Sequence, residues 1–154
     1  MILDASNFVS DASGEPVLFI KRVVGVGGDT LIFKLDTEPG QTPTYNTKVL
    51  LFRIPKNADA REPVEPYVKD EAYSMVYNAR FDGFVFDENG ECFINVPPQS
   101  IYVLGDNRNV SNDSRAYGSF GLDKVKGKMF YKLEKGSLLE ALFKFFYRSS
   151  AQNI

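Results

Sequence analysis

Two places in the chain gather residue types that could do chemistry. The longer is Gly105-Asp106-Asn107-Arg108-Asn109-Val110-Ser111-Asn112-Asp113-Ser114-Arg115-Ala116-Tyr117-Gly118, a polar stretch between apolar flanks. Such a composition often marks a plain solvated turn, because Asn, Asp, Ser and Gly satisfy their own backbone locally. The density of opposite charges argues for more. An Arg–carboxylate pair can fix loop geometry, and a serine hydroxyl donates or accepts without adding charge. The second place is Lys21, inside the run Val17-Leu18-Phe19-Ile20-Lys21-Arg22-Val23-Val24-Gly25. An ammonium buried there loses hydration and answers with a lowered pKa. The resulting neutral amine is what a general base acting on a serine hydroxyl needs. From periodicity alone, Lys21 would instead face solvent on a one-sided sheet.

Composition narrows the chemistry. The chain contains no histidine. That excludes a Ser-His-Asp or Cys-His site held within it, and any histidine-based metal site. The base of a hydrolytic reaction would therefore be a lysine or a carboxylate, and no metal or organic cofactor is implied. Cys92 is the single cysteine; it lies in an apolar pattern and suits a small buried hydrophobe better than a reactive thiol. With a net charge of −2, the chain lacks the basic footprint of a nucleic-acid binder. A length of 154 residues suits one domain with a real core. No segment reaches the ~20 apolar residues that span a bilayer, and Met1-Ile2-Leu3-Asp4 does not begin a signal peptide.

The elements that must position these residues read as mainly β. The aromatic share of 14%, all Phe and Tyr, leans that way. Val17 to Gly25 has the continuous apolar character of a strand buried on both faces. Gly27-Gly28-Asp29 is a turn, and Thr30 to Leu35 a returning strand, so a hairpin is expected here. Lys48 to Ile54 is another strand, and residues 55–72 form an irregular excursion rich in proline and charge. Asn89-Gly90 signals a hairpin between Phe84-Val85-Phe86 and Cys92-Phe93-Ile94. Ser100 to Leu104 reads as a buried strand leading into the polar stretch, and Val125 to Leu133 as the strand leaving it. The tail changes period: Ser137 and Glu140 fit a capping box, and Leu138, Leu139, Leu142, Phe143, Phe145 and Phe146 recur at helical spacing. A helix over 137–148 is expected, packed on the sheet or lying at a membrane interface with Lys144 and Arg148 snorkelling.

The pattern G-D-N-R-x-x-S-x-D-S-R at 105–115 resembles the carboxy-terminal box of the type I signal peptidases. The segment Ile20-Lys21-Arg22-Val23-Val24-Gly25-Val26-Gly27-Gly28-Asp29 resembles the lysine box of the same family, with Gly27 where many members carry proline. Glu65-Pro66-Tyr67-Val68 is similar to a short motif of these enzymes. The resemblance implies a fold of coiled antiparallel sheets and hairpins with one carboxy-terminal helix, forming a single, partial catalytic domain over 1–154. Position by position it makes Lys21 the general base and Ser111 the serine that orients it. It makes Asp113 and Arg115 a supporting ion pair with Arg22 beside the aspartate, and Gly105 and Asp106 the opening of the box.

The resemblance further implies cleavage of signal peptides from exported preproteins by a Ser/Lys dyad, at the outer face of a cytoplasmic-type membrane and beside a lipid surface. The family's nucleophile stands in a box resembling S-x-M-x-P-T upstream of the lysine. Ser6, Ser10 and Ser13 lack that context, and Ser74-Met75 has no proline after it. The expectation is a chain that begins inside the catalytic domain and, alone, cleaves nothing. A catalytically inactive preprotein-binding module is the alternative. A self-cleaving repressor-type Ser/Lys peptidase is a third, opposed by the long stretch 36–96 and the box at 105–115.

Overall fold

The computed structural model describes residues 1–10, 12–13, 15–38, 40–64 and 74–129. Over these the chain runs β1 (Ile2–Asp4), β2 (Leu18–Ile20), β3 (Arg22–Val26), β4 (Thr30–Leu35), β5 (Val49–Ile54), β6 (Glu62–Pro63), β7 (Glu91–Asn95), β8 (Ser100–Leu104), α1 (Ser114–Tyr117), β9 (Phe120–Gly121) and β10 (Val125–Gly127). Single 3₁₀ turns cover Ala79–Phe81 and Leu122–Lys124. The strands form three antiparallel sheets, ordered β10-β1-β2, β3-β8-β9 and β6-β5-β4-β7. The mainly β, antiparallel expectation holds; the helix expected over 137–148 lies outside the described residues.

Strand β8 explains the layout. Side chains alternate across a strand, so a run as apolar as Ile101-Tyr102-Val103-Leu104 must bury both faces. Ile101 and Val103 join Leu3 and Phe120 in one core, while Tyr102 and Leu104 join Phe33, Leu31 and Val24 in the larger one. Phe33 anchors the larger core, edge-on to Phe84 at 5.1 Å and Phe81 at 5.8 Å between ring centroids. Cys92 is a buried free thiol in this core, and desolvation pushes its pKa up. It is inert packing, as its apolar neighbours suggested.

Three expectations are corrected. The run Val17 to Gly25 is not one buried strand but β2 and β3, broken at Lys21 and belonging to different sheets. Leu18 and Ile20 are exposed, at 53% and 60%. The turn after β3 forms, with Asp29 N–H donating to Val26 O at 2.9 Å. Yet β3 and β4 do not pair, because Asp29 ties the corner to other elements. Its carboxylate accepts from Val26 N and Lys56 N, its carbonyl accepts from Val96 N, and Gly28 N beside it donates to Val96 O. The Asn89-Gly90 turn is also present, with Gly90 at φ 70°, but residues 84–86 form no strand. Phe84 and Phe86 pack into the aromatic cluster instead, and β7 pairs with β4. Strand β1, central in its sheet, went unrecognised because three residues carry too short a pattern.

Gly27 sits where close approach demands glycine. A Cβ there would lie 2.9 Å from Pro97 O and 3.0 Å from Gln99 N, and backbone atoms entering β8 cannot swing aside. Gly27→Ala is therefore expected to cost about 1–3 kcal/mol by overpacking, read by urea denaturation. An unchanged denaturation midpoint would contradict this.

Candidate functional site

The ladder between β3 and β8 delivers the site. Arg22 pairs with Leu104, so the residues just beyond that pair, Lys21 and Gly105, meet where the ladder ends. Lys21 is the crossover residue between two sheets. Its main chain is held by Met1, with N–H to Met1 O at 3.0 Å and its carbonyl accepting from Met1 N at 2.6 Å. Its side chain is half-buried, and Nζ donates to Ser111 Oγ at 2.7 Å. Ser111 is buried, and its hydroxyl in turn points to Asn112 O at 3.5 Å. Gly105 makes this meeting possible: a Cβ there would lie 2.0 Å from Ser111 Oγ and 3.3 Å from Lys21 Nζ.

Asp113 and Arg115 lie beneath, both side chains fully buried. The pair is bidentate, with Arg115 Nε to Asp113 Oδ1 at 3.0 Å and Nη2 to Oδ2 at 2.9 Å. Asp113 Oδ2 also accepts Gly105 N–H at 3.0 Å, and Oδ1 caps α1 through Arg115 N–H at 3.2 Å. Arg115 Nη2 reaches Arg108 O, and Arg108 Nη1 reaches Gly105 O. Ser114 Oγ accepts Val103 N–H at 2.9 Å. The loop's backbone is thus folded around one buried carboxylate. Burial pushes Asp113 up, but the Arg115 hydrogen bonds and charge, with the Gly105 and Arg115 amides, outweigh it and hold the carboxyl below its ordinary value. Burial, then the Arg115 and Arg22 cations, push Arg108 down to about 10, so it stays charged at neutral pH.

Lys21 responds as a buried ammonium should: desolvation lowers its pKa from 10.5, and the Arg115 and Arg80 cations act in the same direction. Asp113 opposes them, as does the Phe19 ring, whose centroid lies 4.8 Å from Nζ. Burial prevails. A groove of about 660 Å³ opens beside the amine, with Ile20, Val26, Leu122 and Met129 giving it an exposed apolar rim.

Lys21, Arg22, Gly105, Asp106, Ser111, Asp113 and Arg115 come together here with one difference in partners, while Glu65-Pro66-Tyr67-Val68 lies outside the described residues. Arg22 does not reach Asp113; it pairs with Asp106, Nε to Oδ1 at 2.8 Å and Nη2 to Oδ2 at 3.0 Å. Both side chains are largely exposed, because Arg22 lies on the outer face of β3 while Asp113 is sealed inside the loop. Several contributors were missed. Asn109 bridges to Val76 N and Ser74 O, at 3.1 Å each, and Arg80 reaches Val110 O and Asn112. Nothing local in the segment 74–81 signals a role so far along the chain. Asn109 and Asn112 were visible only as part of the polar stretch. Among the described residues no cluster of His, Cys, Asp and Glu could hold a metal ion.

A family model described as signal peptidase, peptidase S26, matches residues 7–133. The chain is 30% identical over 115 residues to signal peptidase I of Bacillus caldolyticus, covering 74% of this chain and 52% of the relative. It is 28% identical over 148 residues to signal peptidase I of Aquifex aeolicus, covering 73% and 55%. It is 32% identical over 133 residues to signal peptidase IB of Staphylococcus aureus, covering 84% and 60%. The chain thus spans between about half and three-fifths of the length of these curated relatives.

Two outcomes follow from the electrostatics. Removing Asp113 leaves Arg115 as an uncompensated buried cation, so Asp113→Ala should lose roughly 3–5 kcal/mol in denaturant unfolding; an unchanged unfolding midpoint would refute the account of the loop. For Lys21, the unfolded chain holds a proton that the folded chain has released, between the lowered value and 10.5. Native stability therefore rises with pH across that window. The stability of Lys21→Met relative to the native chain should be greatest near neutrality and decline toward pH 10.5; a pH-independent difference would contradict the lowered pKa.

Proposed function

The chain belongs to the signal peptidase family, peptidase S26, and on that premise we propose that it carries the general base of a serine endopeptidase that removes amino-terminal signal peptides from exported preproteins. The observation that carries this reading is the 2.7 Å contact between the desolvated Lys21 amine and the buried Ser111 hydroxyl, at the edge of an apolar groove.

The chemistry follows from the amine. As the neutral base, Lys21 Nζ gives one N–H to Ser111 Oγ, which fixes the amine's rotation and leaves its lone pair for a proton. A nucleophilic serine loses its proton to that lone pair as its oxygen attacks the scissile carbonyl. The ammonium so formed then protonates the departing amine; in hydrolysis of the acyl-enzyme Lys21 takes a proton from the attacking water and returns it to the serine oxygen as the ester bond breaks. Ser111 is an orienting hydroxyl in this scheme. The serine box S-x-M-x-P-T has no counterpart among the serines of this chain, so the nucleophile is assigned to the complete enzyme.

Substrate binding fits the same edge. Strand β2 is the outer strand of its sheet and ends at Ile20, next to Lys21, so an extended preprotein segment can add to it by main-chain hydrogen bonds. Small side chains next to the scissile bond then enter the groove bordered by Ile20 and Val23. We place the complete enzyme at a membrane, with the site on its outer face and the exposed apolar rim towards lipid. Among the described residues no helix is long and apolar enough to cross a bilayer.

Preprotein cleavage by the full-length protein tests the reading. Lys21→Arg should reduce turnover by roughly 10²–10⁴-fold, the usual weight of a general base, because guanidinium keeps its proton. Ser111→Ala should reduce it less. Comparable cleavage by the Lys21→Arg protein would overturn the Ser/Lys mechanism. Preprotein capture without cleavage by the unmodified full-length protein would favour the inactive binding module instead.

A further inference from the structure

The Ser111 hydroxyl is held from a second direction, by a part of the chain that carries neither sequence box. Residues 74–81 lie against the outside of the loop. Asn109 is bonded to Ser74 O and Val76 N. Asn78 Nδ2 approaches Asn109 O at 3.5 Å, and Asn78 Oδ1 caps the short turn by accepting Arg80 N–H at 2.9 Å. Phe81, fully buried, lies under the Arg115 guanidinium at 5.5 Å from its centroid. From this platform Arg80 extends a fork over the loop. Nη1 donates to Asn112 Oδ1, and Nη2 donates to Val110 O at 3.1 Å. Val110 and Asn112 are the two neighbours of Ser111, so one planar guanidinium grips both sides of the serine that touches Lys21.

We infer that Arg80 is a positioning residue of the Lys21–Ser111 pair: its fork clamps Val110 and Asn112 and thereby holds the Ser111 hydroxyl on the Lys21 amine. The inference deepens the assignment of Lys21 as base and rests on it. Two features separate this role from a plain surface tie. Arginine is suited to it because its donors form a rigid fork that a lysine cannot reproduce. Its charge also bears on the amine it helps to place. Lys21 feels Asp113 as an attractive charge, and Arg115 and Arg80 as repulsive ones. Arg22, Asp106 and Lys128 line the groove beside it. Removing the Arg80 charge therefore makes protonation of Lys21 easier, whereas removing only the fork leaves that charge in place.

The test uses the full chain and two readouts, neither of which depends on turnover, so a failure of the peptidase reading would not register as a failure here. Pulse labelling with acetic anhydride across a pH series, read by mass spectrometry of the Lys21 peptide, reports the amine. In Arg80→Gln the profile should move to higher pH, and labelling on the rising limb should fall roughly two- to fivefold. Hydrogen exchange of the Ser111 amide, which donates to Asn107 O at 3.1 Å, reports the clamp. In Arg80→Lys, which keeps the charge, and in Asn112→Ala, which removes one anchor, exchange at Ser111 should quicken on the order of tenfold, with β4 and β5 unchanged. Should Arg80→Gln fail to fold, the latter two variants decide the matter through exchange. A native labelling profile in folded Arg80→Gln, or native exchange at Ser111 in Arg80→Lys, would overturn the assignment.

Discussion

One buried carboxylate governs the loop on which the site depends. Asp113 has no exposed side-chain surface, yet it meets Arg115 twice and takes the amides of Gly105 and Arg115. A buried charge is tolerable only when its oxygens are so satisfied. Meeting that demand draws the end of β8, the start of α1 and the intervening turn around a single point. Ser111 then lies where the returning loop passes Gly105, and Gly105 must lack a side chain for it to do so. The Lys21–Ser111 contact is thus a consequence of how Asp113 is satisfied. The exposed Arg22–Asp106 pair is of another kind: it is screened by water and contributes at most about 1 kcal/mol.

Lys21 is the single residue between β2 and β3, where the chain leaves one sheet and enters another. A lysine within a regular strand would have its side chain committed to one face. At the crossover its main chain is tied to Met1 while its side chain passes into the loop. Relieved of a place in the β3–β8 ladder, the residue approaches Ser111 closely and still borders the groove. Desolvation follows from that placement and pushes the amine towards its neutral form. The arrangement stores an electrostatic penalty where a base would use it, a common property of reactive sites.

Much of this was legible in the sequence, for identifiable reasons. An apolar run on both faces of Ser100–Leu104 could only be a buried strand, and it is one. The polar box and the lysine run stood out because charges and hydroxyls were placed where apolar residues are the rule. What stayed hidden was pairing at a distance. The turn at Gly27-Gly28-Asp29 gave a hairpin signal, but Asp29 bonds to Lys56 and Val96 and the strands separate. The family resemblance implies Arg22 as a neighbour of Asp113, whereas its outward face gives it to Asp106. Arg80 carried no local signal at all, since its partners lie some thirty residues on. Family membership agrees with the two boxes, and the curated relatives extend well beyond the length of this chain.

The account stands or falls on the state of one nitrogen. A heteronuclear NMR titration of the Lys21 Cε and Nζ signals in the full chain measures it directly. The account predicts a midpoint clearly below 10.5, the ordinary lysine value, which moves up when Ser111 and the loop are released by denaturant. A midpoint at or above 10.5 in the folded protein would mean that Lys21 remains an ordinary ammonium, and the central claim would be wrong.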